Sequence, residues 1–109
     1  MAYDEGLAER IREVLAGEPD VHEKLMFGGV CFMVRGHMTL GIVKDDLMVR
    51  VGPEVYDDLL KQPHARVMDF THRPMKGMLY VDPEGYEDDA DLRRWIGHAL
   101  AYTHSLPAK

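Results

Sequence analysis

The chain is poor in the residues from which enzymes usually draw a nucleophile. Its 109 residues include one cysteine, Cys31, one serine, Ser105, and the threonines Thr39, Thr71 and Thr103. A lone cysteine excludes an internal disulfide and points to a reducing compartment, the cytoplasm. Cys31 sits in the apolar run GGVCFMV, which places it in a buried strand as an inert packing thiol, because a reactive thiol wants an electropositive, partly exposed setting. Among the hydroxyls Thr71 adjoins His72, and Thr103 and Ser105 flank His104, but adjacency in sequence supplies neither the hydrogen-bond chain nor the oxyanion site of acyl-transfer chemistry. The N-terminus has no apolar signal core, and no apolar run approaches the length of a membrane span.

Positive charge is also scarce. Thirteen Lys and Arg against nineteen Asp and Glu leave a net charge of −6, which disfavours direct nucleic-acid binding, since neutralising phosphates takes a concentrated basic surface. The distribution is uneven, with the acids Asp4, Glu5, Glu9, Glu13, Glu18, Asp20 and Glu23 crowding the N-terminal segment and bases outnumbering acids only in the middle of the chain. The six histidines form no HxH, HxxxH or HExxH pattern, and Cys31 has no CxxC partner. His98 and His104 would point about 240° apart on a helix and cannot share an ion, so no metal site is expected; they suit the negative pole of a helix end. Gly28-Gly29 is not followed by Lys-Ser or Lys-Thr, so no phosphate-cradling loop is present, and no cofactor is implied.

The elements that are present describe one domain over 1–109, a length at which a chain buries roughly two-thirds of its unfolded surface. Leu7, Ile11, Val14 and Leu15 form one stripe of a helix that Gly17 stops. Glu18 to Glu23 reads as a polar link. Strands are expected over Gly29 to Arg35, Met38 to Lys44 and Leu47 to Val51, joined by tight turns into an antiparallel meander. Gly52-Pro53-Glu54 opens a short helix, with Pro where its missing N–H costs nothing. Strands follow at Arg66 to Phe70 and Gly77 to Asp82, then the turn Asp82-Pro83-Glu84-Gly85. The last helix starts at the acids Asp88 to Asp91 and buries Leu92, Trp95, Ile96, Ala99 and Leu100. The order α-β-β-β-α-β-β-α gives an α+β two-layer sandwich: an antiparallel five-stranded sheet with helices on one face and the other face left for solvent or a partner. Its core is expected from Leu7, Ile11, Val14, Phe32, Leu40, Leu47, Val49, Leu59, Leu79, Val81, Leu92, Trp95 and Ile96.

Two groups carry binding chemistry. His64, Arg66, His72, Arg73 and Lys76, with Arg50, could form an anion-accepting patch for a phosphate, a carboxylate or an acidic protein segment. The competing reading has Arg66 and Arg50 paired with Asp69 and with carboxylates of a neighbouring strand, stiffening the sheet. Of the eight methionines, Met33, Met48, Met68, Met75 and Met78 fall on or beside the strands, and alternation sets Met48 with Arg50 opposite Leu47, Val49 and Val51. A sheet face that mixes adaptable Met with bases is suited to a protein partner or to a second copy in a homodimer, even where most of the Met are core filler.

Four blocks in this order, MFGG at Met26 to Gly29, GHM at Gly36 to Met38, DDLMVRVGPE at Asp45 to Glu54 and PHARVMDFTHRPMKGMLYVDPEG at Pro63 to Gly85, resemble the N-terminal domain of the TfoX/Sxy family. The resemblance implies a fold similar to the antiparallel α/β layers of secretion-chaperone-like proteins. It also implies a bacterial regulator of competence genes that works through protein contacts, with the cyclic-AMP receptor protein in full-length members. Those members carry a second, helical C-terminal domain, whereas this chain, ending at Lys109, resembles a stand-alone N-terminal domain. The expectation is a non-enzymatic cytoplasmic interaction module, a transcription or competence co-regulator of the TfoX type. The alternative is a small-ligand or anion-binding domain, or an enzyme, using the patch at 64–76.

Overall fold

A computed structural model describes residues 3–26, 28–68 and 77–107. The elements are α1 (Glu5–Val14), β1 (Val21–Met26), β2 (Gly29–Val34), β3 (His37–Val43), β4 (Asp46–Arg50), α2 (Pro53–Leu60), β5 (Ala65–Val67), β6 (Met78–Val81), α3 (Pro83–Tyr86) and α4 (Asp89–His104). All strands join one antiparallel sheet in the order β1-β2-β3-β4-β6-β5. The α+β class and the antiparallel sheet agree with the sequence reading. The strand number does not, because the sheet has six strands rather than five.

The extra strand is β1, which occupies the end of the segment read as a polar link. Its side chains are mostly exposed, so no apolar alternation marks it. It is a strand because Val21 to Met26 pair residue by residue with Val34 to Gly29 across the chain reversal. The exposed charged side chains Glu23 and Lys24 and the tie to α1 discourage further pairing at this edge: Arg12 of α1 holds Glu23 through Nε at 2.8 Å and Nη2 at 2.7 Å. A second revision is α3. Asp82-Pro83-Glu84-Gly85 is not a free turn but the start of one helical turn whose Tyr86 is buried, its hydroxyl donating to the Asp45 carbonyl at 2.6 Å. The penultimate strand starts one residue earlier than read and is described over Ala65–Val67, with Asp69 and Phe70 outside the described residues.

Both long terminal helices begin at aspartate caps. Asp4 accepts from Leu7 N at 3.1 Å, and Asp88 accepts from Ala90 N at 2.8 Å. Arg10 ties the two helices together, donating to the carbonyls of Tyr86 at 2.8 Å and Glu87 at 3.1 Å and to Asp89 at 2.9 Å.

The helix-side core contains every expected residue, with Val14 packed at its margin. Its cross-strand rows are Val30-Ile42-Leu47-Val81-Ala65 and Phe32-Leu40-Val49-Leu79, with Leu25, Glu23 and Val67 continuing the register as exposed residues at the sheet edges. Between Phe32 and Met33 the register slips by one residue, leaving Thr39 as the extra residue of β3. Thr39 shares a buried hydrogen bond of 2.8 Å with Thr103 of α4, so the bulge docks the helix on the sheet.

The opposite face is not left open. Cys31, Met48, Met68, Met78 and Tyr80 form a second buried cluster there. One row crosses all six strands, Lys24-Cys31-Gly41-Met48-Tyr80-Arg66. Gly41 is required at its centre: a Cβ there would lie 2.6 Å from Met48 Cε and 2.6 Å from the Val30 carbonyl oxygen, so Met48 lies across the glycine.

Trp95 is fully buried in the helix-side core, and Trp95→Ala is expected to cost about 3–5 kcal/mol in chemical denaturation. The Arg12–Glu23 pair gives a pH signature. Hydrogen bonding to Arg12 holds the Glu23 carboxyl below its ordinary 4.5, so the pair's contribution is present above that value and is lost as pH falls through the lower folded value. Both side chains are more than a third exposed, so solvent screening keeps the effect under about 1 kcal/mol. Denaturation of Glu23→Gln should show a small loss at neutral pH that vanishes in acid.

Candidate functional site

The bases grouped by the sequence do not converge on one open anion site in the described residues. Arg66 of β5 projects between two carboxylates from other segments, with Nη2 at 2.6 Å from Asp46 of β4 and Nε at 2.5 Å from Asp82 after β6. Its guanidinium also stacks over Tyr80, 5.4 Å from the ring centre. Hydrogen bonding to Asp46, ahead of that to Asp82, raises the Arg66 pKa further and keeps the group charged. For Arg66 the competing reading therefore holds in its main part: it staples β5, β6 and β4.

Arg50 lies elsewhere. Its Nη1 donates to the Met38 carbonyl at 3.3 Å, and its guanidinium sits over Tyr102 of α4, 5.3 Å from the ring centre. Tyr102 in turn covers Gly52, the residue that caps α2 at φ 85°, where a Cβ would lie 2.3 Å from the ring. His64 stands at the turn into β5, its Nδ1 4.0 Å from Glu84 Oε2. His72, Arg73 and Lys76 lie outside the described residues, as does Asp69.

The structure adds three features that sequence spacing did not indicate. The first is a pocket of about 350 Å³ between the start of α2 and the C-terminal half of α4, lined by Val51 to Val55, His98, Ala101, Tyr102 and Ser105. Among the described residues of the 64–76 patch, His64 and Arg66 do not line it. Burial, and then the nearby Arg94, lower the His98 pKa, so this ring lines the pocket as neutral imidazole. His98 thus has a different setting from the helix-end role expected of it, whereas His104 in the last turn of α4 pairs with Glu18. The second is a half-buried apolar margin, Met26, Met33, Met38 and Val43, around the second core cluster. Exposed His22 and Lys24 flank it, His22 in register with Met33 and Lys24 with Cys31. The third is that His64, Asp82 and Glu84 bring one donor atom each within 4.8 Å of one another. Residues 18 and 20 positions apart are joined here because β5 pairs with β6, Ala65 opposite Val81, and the Asp82 N–H donates to the His64 carbonyl at 2.9 Å. Local spacing carries no signal for such a group.

Cys31 is completely buried, and burial pushes its thiol up to about 11. That agrees with the packing role read from GGVCFMV.

A family model described as TfoX N-terminal domain matches residues 13–102 of the 109. The chain belongs to the TfoX N-terminal domain family. The match spans from the end of α1 to the last turn of α4, so it takes in the whole six-stranded sheet and all four resembling blocks. This family is not a known enzyme family. No curated protein and no solved structure matches the chain. No helix among the described residues is long and apolar enough to cross a membrane.

The thiol predicts its own test. At neutral pH, native Cys31 should react with a thiol reagent orders of magnitude more slowly than in the denatured chain, with urea restoring the rate, because attack requires the thiolate and access together.

Proposed function

We propose that this TfoX N-terminal domain is a non-enzymatic protein-interaction module with a regulatory role of the TfoX type. Its docking surface is the β1–β3 end of the sheet face opposite the helices. The observation that carries the proposal is the margin of Met26, Met33 and Met38, half-buried around a second core that is otherwise sealed, with His22 and Lys24 beside it. Methionine adapts its shape to an incoming apolar surface at little cost. The flanking bases of an otherwise acidic chain favour an acidic partner, steer its approach and make the contact salt-sensitive. His72, Arg73 and Lys76 are proposed as further basic contacts for an acidic partner, and Arg50 and Arg66 to serve mainly as structural ties.

The small-ligand reading has one observation in its favour, the pocket beside α2 and α4. Its described lining carries His98 but none of the described bases Arg50, His64 and Arg66.

The experiment is capture of partners from native cytosol on the wild-type domain and on three folded variants, Met33→Glu, Lys24→Glu and the double change Arg73→Ala with Lys76→Ala. Surface charges contribute little to stability, so the charge variants should melt near the wild type. Capture should fall in all three and fall further with added salt. Undiminished capture by folded Met33→Glu would remove this face as the docking surface.

A further inference from the structure

The group His64, Asp82 and Glu84 has the chemistry of a cation site, and the surrounding structure accounts for its geometry without any bound ion being needed to hold it. His64 adopts a left-handed backbone conformation, φ 71°, which is uncommon for a residue with a Cβ. Its carbonyl is fixed by the Asp82 N–H at 2.9 Å. Its side chain is seated against Gly85, where a Cβ would come within 2.8 Å of His64 Cβ and 2.5 Å of Val81 Cγ1. Glycine at 85 therefore lets the imidazole stand over the first turn of α3, and Pro83 at the start of that turn fixes where Glu84 leaves it.

The electrostatics favour a divalent ion. Asp82 gives Oδ1 to Arg66 Nε at 2.5 Å, which leaves its other oxygen available. Arg66 shares its single charge with Asp46 as well. Asp46, Asp82 and Glu84 together bring three negative charges against one guanidinium, a local charge of −2 that one divalent cation would cancel. In the absence of an ion the only partner for Glu84 in this group is His64 at 4.0 Å, a contact between side chains 43% and 69% exposed, which contributes little.

We propose that His64, Asp82 and Glu84 form a surface site for a divalent transition-metal ion, zinc in the first instance. One imidazole nitrogen and two carboxylate oxygens are a donor set zinc accepts at about 2.0–2.2 Å, with solvent completing the coordination. Hard ions such as magnesium prefer oxygen donors only and keep their own waters. Ligands at those distances stand about 3.3 Å apart in a tetrahedron, closer than the present 4.8 Å limit. The exposed Glu84 side chain is free to swing and close the difference. Arg66 orients Asp82 from outside the ligand set, as outer-shell partners commonly do. A bound ion would fasten the turn before β5 to the junction of β6 and α3, the edge of the sheet away from β1.

The test is titration of zinc into untagged wild-type protein, followed by calorimetry and by thermal melting, with magnesium as the control. One equivalent of zinc should bind and raise the melting temperature, and magnesium should do neither. His64→Asn, which tolerates the left-handed backbone, and Glu84→Gln should each weaken zinc binding about tenfold or more, while His22→Ala and His104→Ala should not. Cobalt added to wild-type protein should broaden the amide resonances of His64, Asp82 and Glu84 before those of His22, His98 and His104, a readout that depends on no variant folding. Absence of one-equivalent binding, binding unchanged in either ligand variant, or broadening that begins at another histidine would overturn the site. None of these results bears on the docking face, whose variants Met33→Glu and Lys24→Glu lie on β2 and β1 at the other edge of the sheet.

Discussion

The structure depends on a sheet whose central strand is sealed on both faces. In β4, Leu47, Met48 and Val49 are all at most 1% exposed, Leu47 and Val49 beneath the helices and Met48 within the opposite cluster. A strand buried on both faces must satisfy its backbone within the sheet, and β4 does so by pairing with β3 on one side and β6 on the other. Since β6 follows β4 only after α2 and β5, closing this pair brings the distant halves of the chain together. The joints at that seam are backbone bonds from Val51 N and Gly52 N to the Gly77 carbonyl, 2.8 and 3.1 Å long. Gly52 then caps α2 with a left-handed turn that only glycine can take beneath Tyr102.

From this constraint the two surfaces acquire different characters. The helix side is a continuous hydrocarbon core closed by α1 and α4, with Arg10 bolting their ends and the Thr39–Thr103 bond fixing α4 on the bulge in β3. The opposite side is a smaller, sulfur-rich cluster, with Met48 laid over Gly41 against Cys31. That cluster thins toward β1 into half-buried methionines, and the proposed docking face is its margin. At the other edge Arg66 binds Asp46 and Asp82 and so leaves Asp82 poised beside His64 and Glu84. The proposed interaction face and the proposed ion site thus sit at opposite edges of one sheet.

Much of the fold was legible in the chain because its signals are local. The acids Asp88 to Asp91 at the start of α4, Gly52-Pro53 before α2, the helical stripes and the strand runs of β2, β3, β4 and β6 each express a preference that holds wherever the segment is placed. Membership of the TfoX family was legible for a similar reason, since its blocks are contiguous strings. The edge strand β1 was not, because VHEKLM buries little and becomes a strand only when β2 offers a ladder. Nor was α3, a single turn held by the burial of Tyr86 and its bond to Asp45 rather than by any helical periodicity.

The site residues divide along the same line. Sequence proximity collected Arg66 with its neighbouring bases, but an ion pair is decided by distance in space, and the carboxylates that take Arg66 lie 20 residues before it and 16 after it. The sequence by itself determined the types of the elements with apolar periodicity, the helix-side apolar core and the inertness of a cysteine within an apolar strand, all of which follow from short-range periodicity and from water's exclusion of hydrocarbon. Tertiary structure alone decided that the second sheet face is sealed at its centre, that Arg66 is a tie, and that His64 meets Asp82 and Glu84. Those outcomes require segments far apart in the chain to be brought within hydrogen-bond range, and only the closing of β6 and β5 onto β4 does that.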